Sequence, residues 1–324
     1  AHCGEITQAA EKGGFDNILL PSGYQLGMDS VAFAGAMAAL TEKIKLLLAI
    51  RCGEMWPPQL ARQIATLDQM LGGRLTINII SSDMPGQVLA SPERYGRTLE
   101  VMQLLKQFLD GQAVNHQGQH YQLELDPPRM GTVSGKCPPF YFGGLSPAAR
   151  DVAAKAADVF LMWPDEEVNV TAILDDMKKR AADSGRTLRY GYRVHVIVRE
   201  TEAEALDYTR TLMSKLDDAE GEAIRKKSLD AASEGVRRQA EMRDRADNDG
   251  FAEDNLWTGI GRAGSGCGAA IVGDPDQVLA KLKRYQAMGL DAFILSGYPH
   301  AAECDLFARY VLPKLDHQPL EFPA

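Results

Sequence analysis

Arg189-Tyr-Gly-Tyr-Arg-Val-His-Val-Ile-Val-Arg199 reads as a β-strand. β-Branched and aromatic residues dominate it, and these suit a pleated surface packed against neighbours. Side chains on a strand alternate between faces, so Arg193 and His195 share one face while Val194 and Val196 take the other. A run this apolar belongs to a sheet covered on both sides. A buried charge is costly without a partner. The arginine and histidine therefore either answer to internal acids or wait for an anionic ligand.

Similar runs recur on both sides of this stretch: Asn17-Ile-Leu-Leu-Pro21, Lys45 to Arg51, Leu75-Thr-Ile-Asn-Ile-Ile-Ser81, Phe140-Tyr-Phe-Gly-Gly144, Asp158-Val-Phe-Leu-Met-Trp163 and Ala292-Phe-Ile-Leu-Ser296. Helical patterns separate them, at 30–40, 57–70, 92–109, 147–156, 168–184 and 275–288. Apolar strands alternating with helices mean a parallel sheet in an α/β fold. Seven strands are one short of a TIM (β/α)8 barrel. The chain opens on a helical pattern from Ala1, so a barrel places its first strand upstream of residue 1. An open doubly wound sheet is the alternative, and the barrel is the expectation, as a single domain over 1–324. A small hairpin is expected within 112–137. Residues 201–273 are expected as an insertion before the last strand, helical over 202–247. Its Gly-, Asp- and Asn-rich remainder, 248–273, is expected to be a lid.

The composition narrows the partners. A hydrophobic share of 45% and a charged share of 24% suit a soluble globular protein. A formal net charge of −9 argues against nucleic acid or an anionic membrane, but not against a small anion in a local basic pocket. No apolar run is long enough to span a bilayer. The five cysteines are odd in number, scattered and without a CxxC pair, which points to reduced thiols in a cytoplasm. His116 and His120 have i, i+4 spacing, but in a hairpin they would not share a helical face, so no metal site is expected.

A barrel enzyme keeps its chemistry at the carboxyl ends of the strands. Gly143, Gly144 and Ser146 end one strand just before a helix, and backbone N–H groups there make a phosphate seat, or else an ordinary turn. Asn78 and Ser81 lie at another strand end and suit a cofactor edge or a capped turn. Trp163, Tyr298 and His300 close two more strands, as ligand groups or as rim packing. Gly259-Ile-Gly-Arg-Ala-Gly264 matches a dinucleotide fingerprint but lacks the strand before it and the helix after it. It reads as lid, and Arg262 within it as an arginine that closes over an anion or stays solvated.

Taken together, these residues resemble the flavin-dependent monooxygenases of the bacterial luciferase superfamily, in the alkanesulfonate monooxygenase branch. The resemblance covers essentially the whole chain. It rests on Leu20-Pro-Ser-Gly23, Thr66-Leu-Asp-Gln-Met-Leu-Gly-Gly-Arg-Leu75, Tyr141-Phe-Gly-Gly144, Arg193-Val-His-Val-Ile-Val-Arg-Glu-Thr201, Asn255-Leu-Trp-Thr-Gly-Ile-Gly261 and Phe293-Ile-Leu-Ser-Gly-Tyr-Pro-His300. It implies a TIM barrel, assembled as a homodimer or homotetramer. It also implies reduced FMN as co-substrate, delivered by a separate NAD(P)H-dependent flavin reductase, with O2 as the second co-substrate. The implied reaction is desulfonation, in which a C–S bond breaks to give an aldehyde and sulfite.

The resemblance also assigns roles. Arg193 and His195 become a cationic corner for the sulfonate, completed by Tyr298 and His300. Gly143, Gly144 and Ser146 hold the FMN phosphate, and Asn78 and Ser81 lie near the flavin ring. Three departures stand out. The branch's lid arginine aligns with Gly264, and Arg262 lies two residues earlier. Gly23-Tyr-Gln-Leu26 lacks the cysteine of the branch's Gly-Arg-Ser-Cys stretch, and Cys52 is not its replacement. Ser81-Ser-Asp-Met84 stands where the branch has Thr-Gly-Gly-Asp. These changes point to a sulfosugar, as in the related sulfoquinovose monooxygenases, with Trp163, Tyr24 and Gln25 as partners for hydroxyls. The alternatives are a luciferase-type monooxygenase of a neutral sulfone or alkane, and a non-catalytic flavin- or sulfonate-binding protein.

Overall fold

The computed structural model describes residues 2–23, 27–84, 86–227, 233–263 and 266–322. Its strands are β1 (Asn17–Leu20), β2 (Lys45–Arg51), β3 (Leu75–Ile80), β4 (Val114–Gln117), β5 (Gln122–Leu125), β6 (Phe140–Gly143), β7 (Val159–Met162), β8 (Arg189–Val198), β9 (Phe251–Glu253), β10 (Leu256–Trp257), β11 (Ala270–Gly273) and β12 (Ala292–Ser296). β1, β2, β3, β6, β7, β8 and β12 pair in that order, and every pair is parallel. These are the seven strands read from the sequence. Helices Ser30–Ala38, Pro57–Met70, Ser91–Leu109, Pro147–Ala156 and Glu167–Asp183 connect them in the βα repeat of a TIM-type barrel. β4 and β5 form the expected hairpin as a separate antiparallel pair. No helix among the described residues is long and apolar enough to cross a membrane.

Local chemistry sets the helix starts at the rim. Ser146 caps Pro147–Ala156 by accepting from the Ala149 N–H at 3.3 Å, with Pro147 in the first turn. Asp274 and Gln277 form a capping box ahead of Pro275–Met288, which ends on Gly289 at φ 108°.

The two faces of the barrel strands have different fates. Ile77, Phe142, Phe160, Val194 and Val196 join helix residues such as Ile64, Leu105 and Leu282 in the main core. Residues of the opposite parity face inward. Leu47, Tyr141 and Val159 form a small inner cluster with Leu19, Ile294 and the tail residues Leu320 and Phe322. That cluster fills one part of the interior. The same inward parity, continued along the strands, carries Asn78, Gly143, Trp163, Arg193, His195 and Ser296.

The insertion departs from the expected loop. Helices Glu202–Met213, Asp218–Lys227 and Glu234–Asp244 come first, then the hairpin of β9 and β10, a short 3-10 helix Gly259–Arg262, and β11. β8 outruns β7, whose pairing ends at Met162 opposite Tyr192. Its free backbone groups from His195 to Val198 pair instead with Ala270 to Gly273. Ile197, Trp257, Ala270 and Val272 then bury one another in a second apolar cluster. The surrounding glycines hid this strand from a composition-based reading.

Candidate functional site

Arg193 and His195 lie side by side on β8, as the alternation requires. Arg193 is half-buried. Its Nε is buried without a partner, and no carboxylate pairs with the guanidinium among the described residues. Of the two options the sequence left open, internal acids are therefore excluded within that set. The charge is desolvated and unanswered, a costly state in a folded protein unless a ligand completes it.

His195 is 6% exposed, and its Nδ1 lies 3.0 Å from Ser296 Oγ. Ser296 is its register partner on β12. Burial first, then the neighbouring Arg193 charge, pushes the imidazole pKa down to about 4. Backbone hydrogen bonds at Cys267 and Ser296 offset the drop only in part. Near pH 7 the ligand-free pair is one cation and one neutral imidazole, because burial first and the adjacent Arg193 charge second disfavour the imidazolium.

The segment after β12 brings two more predicted residues to the same place. The rings of His195 and Tyr298 are 5.4 Å apart, and those of Tyr298 and His300 are 4.9 Å apart at 83°. Tyr298 is 45% exposed, so it stands at the opening rather than in the floor. Partial desolvation, with a smaller effect of His2, lowers the His300 pKa. Trp163 is half-buried one residue beyond β7. A Cβ on Gly266 would come 3.7 Å from its ring, so Gly266 lies against the indole.

The predicted cofactor residues line the rim at β3 and β6. Asn78 is 7% exposed, and its amide makes no hydrogen bond among the described residues. Ser81 Oγ is 2.8 Å from Thr98 Oγ1. A Cβ on Gly143 would lie 2.4 Å from the Leu161 carbonyl oxygen, and one on Gly144 would lie 2.6 Å from Ala149 Cβ. Both glycines are thus demanded by close approach, and Ser146 caps its own helix. The Tyr95 hydroxyl would sit 3.4 Å from the Gly144 Cβ, which places a phenol beside this turn. The sequence reading missed Tyr95, whose only signal is its place early in Ser91–Leu109. It also missed Ser296 as the neighbour of His195, and Cys267, whose Sγ is 3.4 Å from the Arg193 carbonyl.

Other candidates stand apart. Arg262 makes a bidentate ion pair with Asp218, with N–O distances of 2.8 Å, at the surface of the insertion. Tyr24 and Gln25 lie outside the described residues, as does Gly264. Cys52 is buried and its thiol is pushed up to about 12, so it is an inert core residue.

Residues 1–292 match the luciferase-like monooxygenase family. The chain belongs to that family. Two relatives are named sulfoquinovose monooxygenase. One, from Novosphingobium aromaticivorans, is 64% identical over 326 residues, spanning 98% of this chain and 90% of the relative. The other, from Agrobacterium fabrum, is 50% identical over 317 residues, spanning 97% and 82%. Among solved structures, DmoA from Hyphomicrobium sulfonivorans has a TM-score of 0.78 at 21% identity, covering 95% of this chain and 79% of its own. EDTA monooxygenase from Chelativorans sp. BNC1 has a TM-score of 0.77 at 19% identity, covering 96% and 85%. These structures share the fold. Family membership bears out the expected luciferase-type barrel and the expected monooxygenase.

Proposed function

We propose that this family member is a two-component monooxygenase that desulfonates an organosulfonate, with a sulfosugar such as sulfoquinovose as its substrate. The balanced reaction is R–CH2–SO3⁻ + O2 + FMNH2 → R–CHO + SO3²⁻ + FMN + H2O + H⁺. The observation that carries the reading is the unpartnered Arg193 guanidinium in a barrel rim of a chain with formal net charge −9. A planar fork of N–H donors in a desolvated site suits a sulfonate's oxygens. A neutral sulfone or alkane would leave this cation uncompensated. The names of the two relatives support the sugar as the carrier of the sulfonate.

The residues present fit a flavin. Asn78 presents an unpaired amide inside the barrel, and the Gly143-Gly144 turn offers closely packed backbone next to the Tyr95 hydroxyl. Asn78 and Ser81 would face the ring, and Gly143, Gly144 and Ser146 the phosphate. Bound reduced FMN would supply the two electrons that activate O2, the oxidant of the reaction. Arg193 binds and orients the sulfonate. His195, neutral in the free protein, gains a proton more readily once the anion sits beside it, and holds that proton at Nε2 or Nδ1. Tyr298 and His300 close the opening. A separate flavin reductase, a homo-oligomeric assembly and a reducing cytoplasm belong to the same proposal.

A sulfite-release assay tests it, using the purified protein, O2, FMN and an added NAD(P)H-dependent flavin reductase. Sulfite from sulfoquinovose is expected, abolished in Arg193→Ala. Turnover of ethanesulfonate with none of sulfoquinovose refutes the sugar. No sulfite from any sulfonate refutes the desulfonation reading.

A further inference from the structure

The helix Glu234–Asp244 lies in the insertion, outside the barrel repeat, yet it meets the site at two points. The first is Gly235. A Cβ there would come 3.0 Å from both Cε3 and Cζ3 of Trp163. The missing side chain lets the helix backbone come close to the indole without the ring having to give way. The second is Gln239, one turn further on and 6% exposed. Its Nε2 donates to the Pro164 carbonyl at 2.6 Å, and its Oε1 accepts from the Gly268 N–H at 3.0 Å. Pro164 follows Trp163. Gly268 follows Cys267, which touches the Arg193 carbonyl. One amide therefore ties the indole's segment to the segment beside Arg193. Arg238 reinforces the seat through Asp165, which is 3% exposed, at 2.8 Å.

We propose that this helix is the specificity-determining wall of the sulfonate pocket. Gly235 sets where the Trp163 ring stands, and Gln239 holds that ring's strand end at a fixed spacing from Arg193. The proposal rests on Arg193 being the sulfonate anchor. With the anion held at Arg193, the position of the indole limits the bulk of the organic group behind it. A methyl group at 235 is resolved by movement of the ring, because Gln239 and Arg238 pin the helix. A shift of a few tenths of an ångström in a packed wall is felt by a large ligand and spared by a small one.

The test compares sulfoquinovose as substrate with methanesulfonate as a competitive inhibitor of its turnover. In Gly235→Ala, the sulfoquinovose KM is expected to rise roughly tenfold with a smaller change in kcat. The methanesulfonate inhibition constant is expected to change less than about twofold. In a Trp163→Phe background the same substitution is expected to lose its selective effect, because the smaller ring no longer meets the added methyl. Gln239→Glu, which keeps the acceptor and loses the donor to Pro164, is expected to show the same selectivity and serves if Gly235→Ala does not fold. Equal changes for both ligands, or an equal penalty in both backgrounds, overturn the proposal. If the wild-type protein releases sulfite while these outcomes appear, only the wall is wrong; if it releases none from any sulfonate, the functional reading itself has failed.

Discussion

His195→Gln isolates a pH-dependent contribution that the site geometry imposes on folding. The imidazole has a pKa of about 4 in the folded protein, against an ordinary value of 6.5, because burial and then Arg193 disfavour its charge. As pH falls through 6.5 the unfolded chain takes up this proton first, and the folded chain follows only near 4. The stability tied to this group is therefore fully present above pH 6.5 and is lost as pH falls towards 4. A depression of that size is worth about 3 kcal/mol in full, and roughly 2 kcal/mol between pH 7 and pH 5. Glutamine keeps an amide near Ser296 Oγ but cannot titrate. Urea unfolding of both proteins at pH 7, 6 and 5 is the assay. The stability of wild type minus variant is expected to fall by roughly 2 kcal/mol over that range. Added methanesulfonate is expected to flatten the wild-type slope and to bind more tightly as pH falls, since the anion favours the imidazolium. Parallel pH curves for the two proteins would refute both the burial argument and the charge coupling to Arg193.

Three further outcomes follow from the geometry. Arg193→Met is expected to raise the unfolding free energy of the free protein by about 1 kcal/mol, because it removes an unanswered charge. The same change is expected to weaken methanesulfonate binding roughly 10- to 100-fold by calorimetry, and unchanged affinity would contradict the anchor. Gly143→Ala forces a methyl group onto the Leu161 carbonyl, so a loss of about 1–3 kcal/mol and weaker FMN binding in a fluorescence titration are expected. Lys281 is 1% exposed and lies 2.6 Å from both Glu167 and Glu253. Lys281→Met is expected to cost about 3 kcal/mol by thermal unfolding, because Glu253 loses its cation and Glu167 keeps only Arg284 at 2.9 Å. A stability within experimental error of wild type would show that water compensates them.

The fold was legible because its signal is local and repeated. Seven apolar runs, each bounded by turn residues and a helix, specify a parallel βα repeat whatever surrounds them. β11 was not legible, since Ala269-Ala-Ile-Val272 is short and sits among glycines. It is a strand because β8 outruns β7 and offers free backbone groups. Among the site residues, Arg193 and His195 could be placed together from strand alternation, and Trp163, Tyr298 and His300 from their positions after strand ends. Arg262 was read as a lid residue from its glycine context alone, and its pairing with Asp218 depends on a helix 44 residues away in sequence.

Sequence by itself determined which residues face the barrel interior and which end of each strand carries polar groups, because periodicity is written in neighbouring positions. It also determined that an arginine and a histidine share a face. Only the tertiary structure decided their charge state. Burial and mutual repulsion keep His195 neutral, and the lack of a carboxylate near Arg193 among the described residues leaves that cation for a ligand. Only the tertiary structure, too, brought Gly235 of the insertion against Trp163 and Gln239 against Pro164. Those contacts join segments about 70 residues apart, and no local pattern encodes which distant surfaces will fill the same space.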